Sequence, residues 1–323
     1  MAAQPGRFGV SLQSIASVGR RHNAVAATGR KTTKARRVEG LILLLFTVPA
    51  LVLYIVFFVM PTLQSVQYSI TDWNGFSASF KYVGIQNFVR AITNDSLFTG
   101  ALLNNLKFWV VVLVFQTLAA LVLAVALFRN TRGSSLLRGL FFFPTILSSI
   151  SVAYIWKFIY DPNYGLGNSL LHVFGVSSSF LGSNSTAIYW VALTQVWFHA
   201  GQMMTIFIAG LQSVPDEMLE AAAVDGAGRW RTFTAITWPM IAPSTSIVMA
   251  YTTIQSFKAF DLILGIAGNP PKPSMDILSS RIYTTFANNQ FGYAAAEAIL
   301  FVLVILLLNG GVKRLVALTQ AGN

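Results

Sequence analysis

Residues 41–60 read LILLLFTVPALVLYIVFFVM, twenty residues in a row without a charge. As a helix that run is about 30 Å long, the thickness of the hydrocarbon core of a bilayer. A backbone in lipid finds no water, so it must close its own N–H and C=O groups, and a helix does this within one segment. Comparable runs lie at 108–128, 136–160, 188–211, 243–267 and 294–312. The pattern predicts an all-α membrane protein with six transmembrane helices. Composition agrees, since only 10% of the residues are charged, against about 25% in a soluble domain. Pro49 and Pro61 predict a kink in the first run. The second is the cleanest, with Gln116 and Thr117 as its only polar side chains. The third to fifth carry Ser148, Ser149, Ser151, Gln195, His199, Gln202, Gln255 and Lys258. Spans of this mixed kind face protein or a water-filled cavity rather than lipid.

The net charge of +11 reads first as a topology signal. Loops on the side of residues 1–40, 129–138, 213–242 and 313–323 hold fifteen Lys and Arg, and those on the other side hold five. The positive-inside rule makes the richer side cytoplasmic, with both termini inside. No basic face is interleaved with exposed aromatics, so a nucleic acid partner is not expected. Residues 1–37 are basic and carry no acid. Without an apolar core they do not form a cleavable secretory signal, and a disordered cytoplasmic tail is expected. Residues 315–323 are expected to form a short cytoplasmic tail.

One stretch breaks the apolar pattern. Residues 220–239 read EAAAVDGAGRWRTFTAITWP, and four of the eleven acids fall between 216 and 225. Ser213 is suited to cap a helix, Pro215 suits its first turn, and Asp216 and Glu217 complement its positive end. Glu220, Ala221, Ala222 and Ala223 continue it with strong helix formers. Gly226 and Gly228 stop it and permit a sharp turn. A second short amphipathic helix is expected, with Trp230, Phe233 and Ile236 three apart, before Pro239 and Pro243. The loop 213–242 thus reads as helix–turn–helix, the shape of an element docked in another protein's groove. The alternative is a helix lying on the lipid headgroups, which the acidic start of the loop disfavours.

Several chemistries are excluded. With no cysteine there is no disulfide or thiolate. No Gly-Lys pair occurs, so no phosphate-binding loop of the Gly-x-x-x-x-Gly-Lys-Ser/Thr type exists. The three histidines are isolated, and no His-Glu-x-x-His is present. No metal site, bound cofactor or catalytic residue is expected, and the spans lack the clustered groups of a membrane-embedded enzyme.

Two polar stripes stand in neighbouring runs. Gln195, His199 and Gln202, with Phe198 beside them, fall at i, i+4 and i+7, as do Tyr251, Gln255 and Lys258. Each stripe fits either hydrogen bonding between packed helices or the wall of a path for a hydroxylated solute. Lys258 and Asp261, three apart, are placed to neutralise each other.

The stretch 220–239 resembles the EAA loop of the membrane subunits of bacterial ABC importers. That pattern is Glu-Ala-Ala, two variable residues, Asp-Gly-Ala, then a hydrophobic stretch ending in Ile-x-x-Pro. Glu220, Ala221, Ala222, Asp225, Gly226, Ala227, Ile236 and Pro239 match it, with Pro215 ahead. Further segments resemble the carbohydrate branch of that family, of the maltose and glycerol-phosphate type: SITDWNGF, YVGIQNF, YDPNYGLGNSLL, FDLILGIAGNPP and FGYAAAEAILF. The resemblance spans nearly all of residues 40–314. Two departures are GNPPKPS, where the family often has a Gly-Gly-Pro turn, and Glu297, where a small or apolar residue is usual. Glu297 is expected to reach water near the outer end of its span.

The resemblance implies a type I ABC importer transmembrane domain over residues 38–314, in the bacterial cytoplasmic membrane. It implies a permease that moves a sugar or sugar derivative by alternating access. Its partners would be a second, different permease, two cytoplasmic ATPases that bind the ATP, and an extracytoplasmic solute-binding protein. Glu220, Ala221, Ala222, Asp225, Gly226, Ala227 and Pro239 would couple to the ATPase. By the same resemblance Thr145 joins Gln195, Phe198, His199, Gln202, Tyr251, Gln255 and Lys258 along the substrate path. A permease for amino acids or peptides would share the loop but not the sugar-branch segments. An ion-coupled secondary carrier would show internal repeats and a buried carboxylate relay, and the sequence shows no repeat.

Overall fold

The computed structural model describes residues 33–321, with side chains for residues 41–317. Residues 1–32, most of the basic tail, lie outside the described residues. The described residues up to Leu63 and those from Gln64 onward form two compact units. The first contains helix α1 (Thr33–Tyr54), which therefore begins inside the stretch assigned to the tail, and a π-helical turn at Ile55–Val59. The turn is placed where Pro61 predicts trouble. Pro61 has no N–H for the carbonyl four residues back, and a wider turn absorbs the loss. Helix α2 (Met60–Tyr68) carries the apolar segment into the second unit.

The second unit continues with α3 (Gln86–Val89), α4 (Ser96–Leu127), α5 (Arg132–Phe142), α6 (Ser149–Ile159), α7 (Leu166–His172) and α8 (Ala187–Gln212). It is completed by α9 (Asp216–Val224), α10 (Arg229–Thr232), α11 (Trp238–Met240), α12 (Ala242–Phe257), α13 (Phe260–Ala267), α14 (Leu278–Ala287) and α15 (Phe291–Ala321). No strand occurs among the described residues. Helix α15 runs on through the segment expected as a C-terminal tail.

Among the described residues three helices are long and apolar enough to span a membrane, and two bent pairs raise the number to five. Six is not reached on that measure. Helix α8 has 26 residues, but the amides and imidazole of its polar stripe dilute its apolarity. The expected third span is broken: α5 with its 3-10 extension and α6 meet at 99°. Pro144 starts that 3-10 turn, and Ser148 then caps α6 by accepting the Ser151 N–H at 3.3 Å. The fifth run is also interrupted, at Lys258 and Ala259 between α12 and α13.

Two apolar clusters show how the long helices run. In one, Phe108 and Val112 of α4 meet Ala187, Ile188, Val191, Ala192 and Phe198 of α8. In the other, Ala120, Ala124 and Leu127 meet Met203, Met204, Phe207 and Ile208. Residue numbers rise together, so α4 and α8 run parallel. Helix α12 runs against them, since Val248 joins the second cluster while Phe257 packs with Phe98 and Ala101 at the start of α4.

Charges close this same end of α4. Asp95 accepts the N–H groups of Leu97 and Phe98, both at 2.9 Å, and so caps α4. Its second oxygen accepts the Tyr293 hydroxyl at 2.8 Å and faces Arg281 Nη2 at 3.4 Å. Burial alone would raise the Asp95 pKa, but the Phe98, Tyr293, Arg281 and Leu97 interactions together hold it below its ordinary value. Arg281 Nε also lies 3.7 Å from Glu297 Oε1, and Arg90 stacks over the Tyr293 ring at 4.0 Å. Glu297 is fully buried, which corrects the expectation that it reaches water. It is tolerated because Arg281, on α14, is brought against it.

Removing one partner of a buried pair costs about 3–5 kcal/mol, while replacing both by apolar groups is often neutral. Arg281→Met should therefore lower the thermal midpoint in detergent strongly, and adding Glu297→Leu should restore part of it, the rest being the ion pair that Asp95 still lacks. The Asp95 contribution has its own pH window. A depressed carboxyl stabilises above its unfolded value of 3.8 and loses that effect as pH falls through the folded value. Asp95→Asn should lower the midpoint at neutral pH, and the deficit should shrink on acidification below pH 3.8.

Candidate functional site

The loop between α8 and α12 folds as expected in outline. Helix α9 starts after Pro215, whose fixed φ suits the position, and Asp216 and Glu217 fill its first turn. The expected cap by Ser213 is not made. Its hydroxyl turns back to donate to the Gly210 carbonyl at 2.7 Å, on the last turn of α8. The end of α9 is closed by Gly226 N–H to Ala223 O at 3.1 Å and Ala227 N–H to Ala222 O at 2.9 Å. Gly226 has φ +74°, a backbone conformation that costs a residue with a Cβ about 1–2 kcal/mol.

After the turn, α10, a π-turn at Phe233–Thr237 and α11 form one continuous piece, which meets α12 at 67°. Pro239 sits in α11 and Pro243 in the first turn of α12. Trp230 and Phe233 stack with ring centroids 6.2 Å apart. Between the two arms lies a cavity of about 400 Å³ bordered by Ala221, Ala222, Asp225, Ala227, Arg231 and Ile236, among others. Glu220 and Asp225 are exposed, while Ala222 is buried against the loop's own fold. The outer face also shows apolar groups: Val224 is 87% and Trp230 78% exposed. The loop thus presents charges and bare apolar groups side by side on one compact element.

A second feature joins the two polar stripes. Gln255 Nε2 on α12 donates to Gln202 Oε1 on α8 at 3.3 Å, and Gln202 Nε2 donates to the Tyr251 hydroxyl at 3.3 Å. The chain continues inward, with Gln116 Nε2 on α4 donating to Gln255 Oε1 at 3.5 Å and to Thr252 Oγ1 at 3.0 Å. Gln116 is fully buried and its Oε1 has no partner. Sequence reading noted Gln116 but did not count it as part of the path. The signal was there, since a lone amide in an otherwise clean span needs a partner. Thr252 was missed because a threonine in a helix carries no such signal.

The remaining stripe residues separate. Thr145 donates to the Phe198 carbonyl at 3.0 Å, and Phe198 itself is buried in the apolar core, its ring 4.1 Å from that of His199. Gln195 is buried, whereas His199 and Gln202 are half-exposed. Lys258 is exposed at the end of α12, and among the described residues no ion pair joins it to Asp261. Among the described residues no group of His, Asp or Glu is arranged to hold a metal ion.

The family described as binding-protein-dependent transport system inner membrane component matches residues 116–319. The chain is similar to the multiple sugar-binding transport system permease protein MsmF of Streptococcus mutans, with 33% identity over 80% of this chain and 90% of that protein. It is similar to the diacetylchitobiose uptake system permease protein NgcF of Streptomyces coelicolor, with 34% identity over 79% of this chain and 76% of that protein. A crystal structure of a bacterial ABC transporter involved in the import of the acidic polysaccharide alginate shares the fold, with a TM-score of 0.74 at 20% identity over 86% of this chain and 96% of that one.

The bonded seam can be measured directly. A double-mutant cycle of Gln202→Ala and Gln255→Ala on thermal unfolding should give a coupling of about 0.6 kcal/mol, the average for hydrogen bonds between membrane helices. Gln195→Ala paired with Gln255→Ala should give none, since no bond links them.

Proposed function

The chain belongs to the family of binding-protein-dependent transport system inner membrane components, and from that premise we propose that it is the permease subunit of an ATP-driven importer of a sugar or sugar derivative. The observation that carries the reading is the loop at 213–242. It is a rigid knob held between two spans, with Glu220 and Asp225 exposed and Gly226 at a positive φ. The relatives named for multiple sugars and for diacetylchitobiose support the solute class.

The chain supplies a lever and no engine. It lacks a phosphate-binding loop, so ATP is bound and hydrolysed by separate cytoplasmic ATPases, two per transporter. They receive α9 and its turn in a groove. Glu220 offers a charge to that partner, Gly226 keeps the turn tight, and Ala221, Ala222 and Ala227 allow close approach. A second, different permease completes the pathway, and a solute-binding protein delivers the sugar. This chain binds no cofactor of its own.

The solute path runs past Gln202, Gln255 and Tyr251. Bonds of 3.3–3.5 Å are at the long end for such pairs. A sugar hydroxyl, both donor and acceptor, can replace one of them without leaving an amide unpaired, and the Tyr251 ring, 42% exposed, offers an apolar face. Gln116 and Thr252 hold the seam from behind.

In membrane vesicles containing the whole transporter, uptake should stop with vanadate and persist with an uncoupler while ATP is maintained. The opposite pattern would identify an ion-coupled carrier. For the knob, Gly226→Asp should insert normally in the membrane yet lose the ATPase in a pull-down, and Gly226→Asn, which adds the same bulk at positive φ without the charge, should retain more of it. Full association and uptake in Gly226→Asp would remove the docking role of the turn.

A further inference from the structure

Residues 161–179, between α6 and α8, form a folded excursion at the end of α8 opposite the loop 213–242. Its stem is fixed. The Tyr160 hydroxyl donates to the Trp190 carbonyl at 2.9 Å and lies 3.1 Å from Thr194 Oγ1. Phe180, at the other end of the excursion, packs on Tyr160 at 5.2 Å and on Trp190 at 4.8 Å between centroids. Inside it, Asn168 donates to the Pro162 and Ser178 carbonyls at 3.0 and 2.8 Å and accepts the Ser178 N–H at 2.9 Å. Asp161 accepts the N–H groups of Asn163 and Tyr164, both at 2.9 Å. At Gly165 any side chain would meet the Ile159 and Asp161 carbonyls, so the excursion is drawn tightly onto the end of α6.

The outer side of this tightly bonded segment is apolar. Tyr164 is 83%, Leu170 67%, Val173 78% and Phe174 81% exposed, and no Asp, Glu, Lys or Arg occurs from 162 to 187. Depth says what covers them. Trp190 is the fourth residue of α8, about 5 Å from its start, and Thr194 about 10 Å. Helix α8 has 26 residues, about 39 Å against about 30 Å of hydrocarbon. The stem therefore lies at the border between acyl chains and headgroups, the level at which Tyr and Trp are enriched.

We propose that residues 161–179 lie on the membrane surface with Leu170, Val173 and Phe174 inserted among lipid acyl chains, so that the excursion is a lipid-binding surface. A protein that docks and leaves would bare these groups to water for part of every cycle, whereas lipid is always present. Without a lysine or arginine, and with His172 as its one titratable base, the segment draws mainly on apolar burial and does not select anionic lipid at neutral pH.

The chain has no cysteine, so each introduced one is unique. Leu170→Cys, Phe174→Cys and, as control, Ser177→Cys should be labelled with a fluorophore in the complete transporter in phosphatidylcholine nanodiscs. At 170 and 174, quenching by acyl-chain nitroxide lipid should exceed quenching by aqueous iodide several-fold, with the reverse at 177. Adding phosphatidylglycerol should change neither. Equal iodide quenching at 174 and 177 would overturn the proposal. So would a label at 174 shielded from both quenchers, which would put a partner protein over the surface. So would lipid quenching that appears only with phosphatidylglycerol.

Discussion

A polar group that this chain carries into the bilayer is stabilised mainly by a partner within the protein, although some buried atoms of the described residues, Gln116 Oε1 among them, have none. Helices settle the account for the backbone, and what remains is a short list of side chains. Their placement decides which helices touch. Helix α4 meets that demand at both ends of its buried face. Asp95 caps its first turn and ties it to Tyr293 and Arg281. Twenty-one residues further on, Gln116 reaches Thr252 and Gln255 on α12. Between them Phe108 and Val112 pack on α8. Nonpolar contact alone is poorly specific in lipid, because the tails are as apolar as a leucine. The polar pairs select one neighbour and one register.

The same demand explains Glu297. A lone carboxylate buried in a span would be very costly. Arg281 is delivered to it by α14, a ten-residue helix laid against α15. Its neighbour Asp276 is buried too and accepts the Ser280 hydroxyl, and burial raises its pKa despite that bond and the nearby Arg281 charge. Three segments distant in sequence are thereby joined around one guanidinium.

The helical class, the apolar runs and the loop motif were legible because each depends on local pattern: run length, cap residues, glycine at a turn. The 99° break between α5 and α6 was not, since Pro144 suits the start of a 3-10 turn as well as a kink. Nor was the split of the polar stripes. Helical spacing put Gln195, His199 and Gln202 on one face, but a helix face is wide enough to meet both core and cavity. Gln195 went to the core and Gln202 to the seam. Glu297 was misjudged because sequence position gives depth, while burial depends on Arg281 arriving from α14.

The seam and the loop share the same two helices. Gln202 lies on α8, which ends at Gln212, and the loop leads from there to α12, which carries Tyr251, Thr252 and Gln255. Gln202 is ten residues from the end of α8, about 15 Å at helical rise. Ser213 binds the loop back onto α8 at Gly210, and the loop's own turn is closed by backbone bonds, so little slack separates knob from helix. The loop is therefore tied directly to α8 and α12, and the bonds between those helices are long, at 3.3 Å. Long polar bonds thus join the two helices that flank the loop, while the shorter bonds of Asp95, at 2.8–2.9 Å, hold the start of α4.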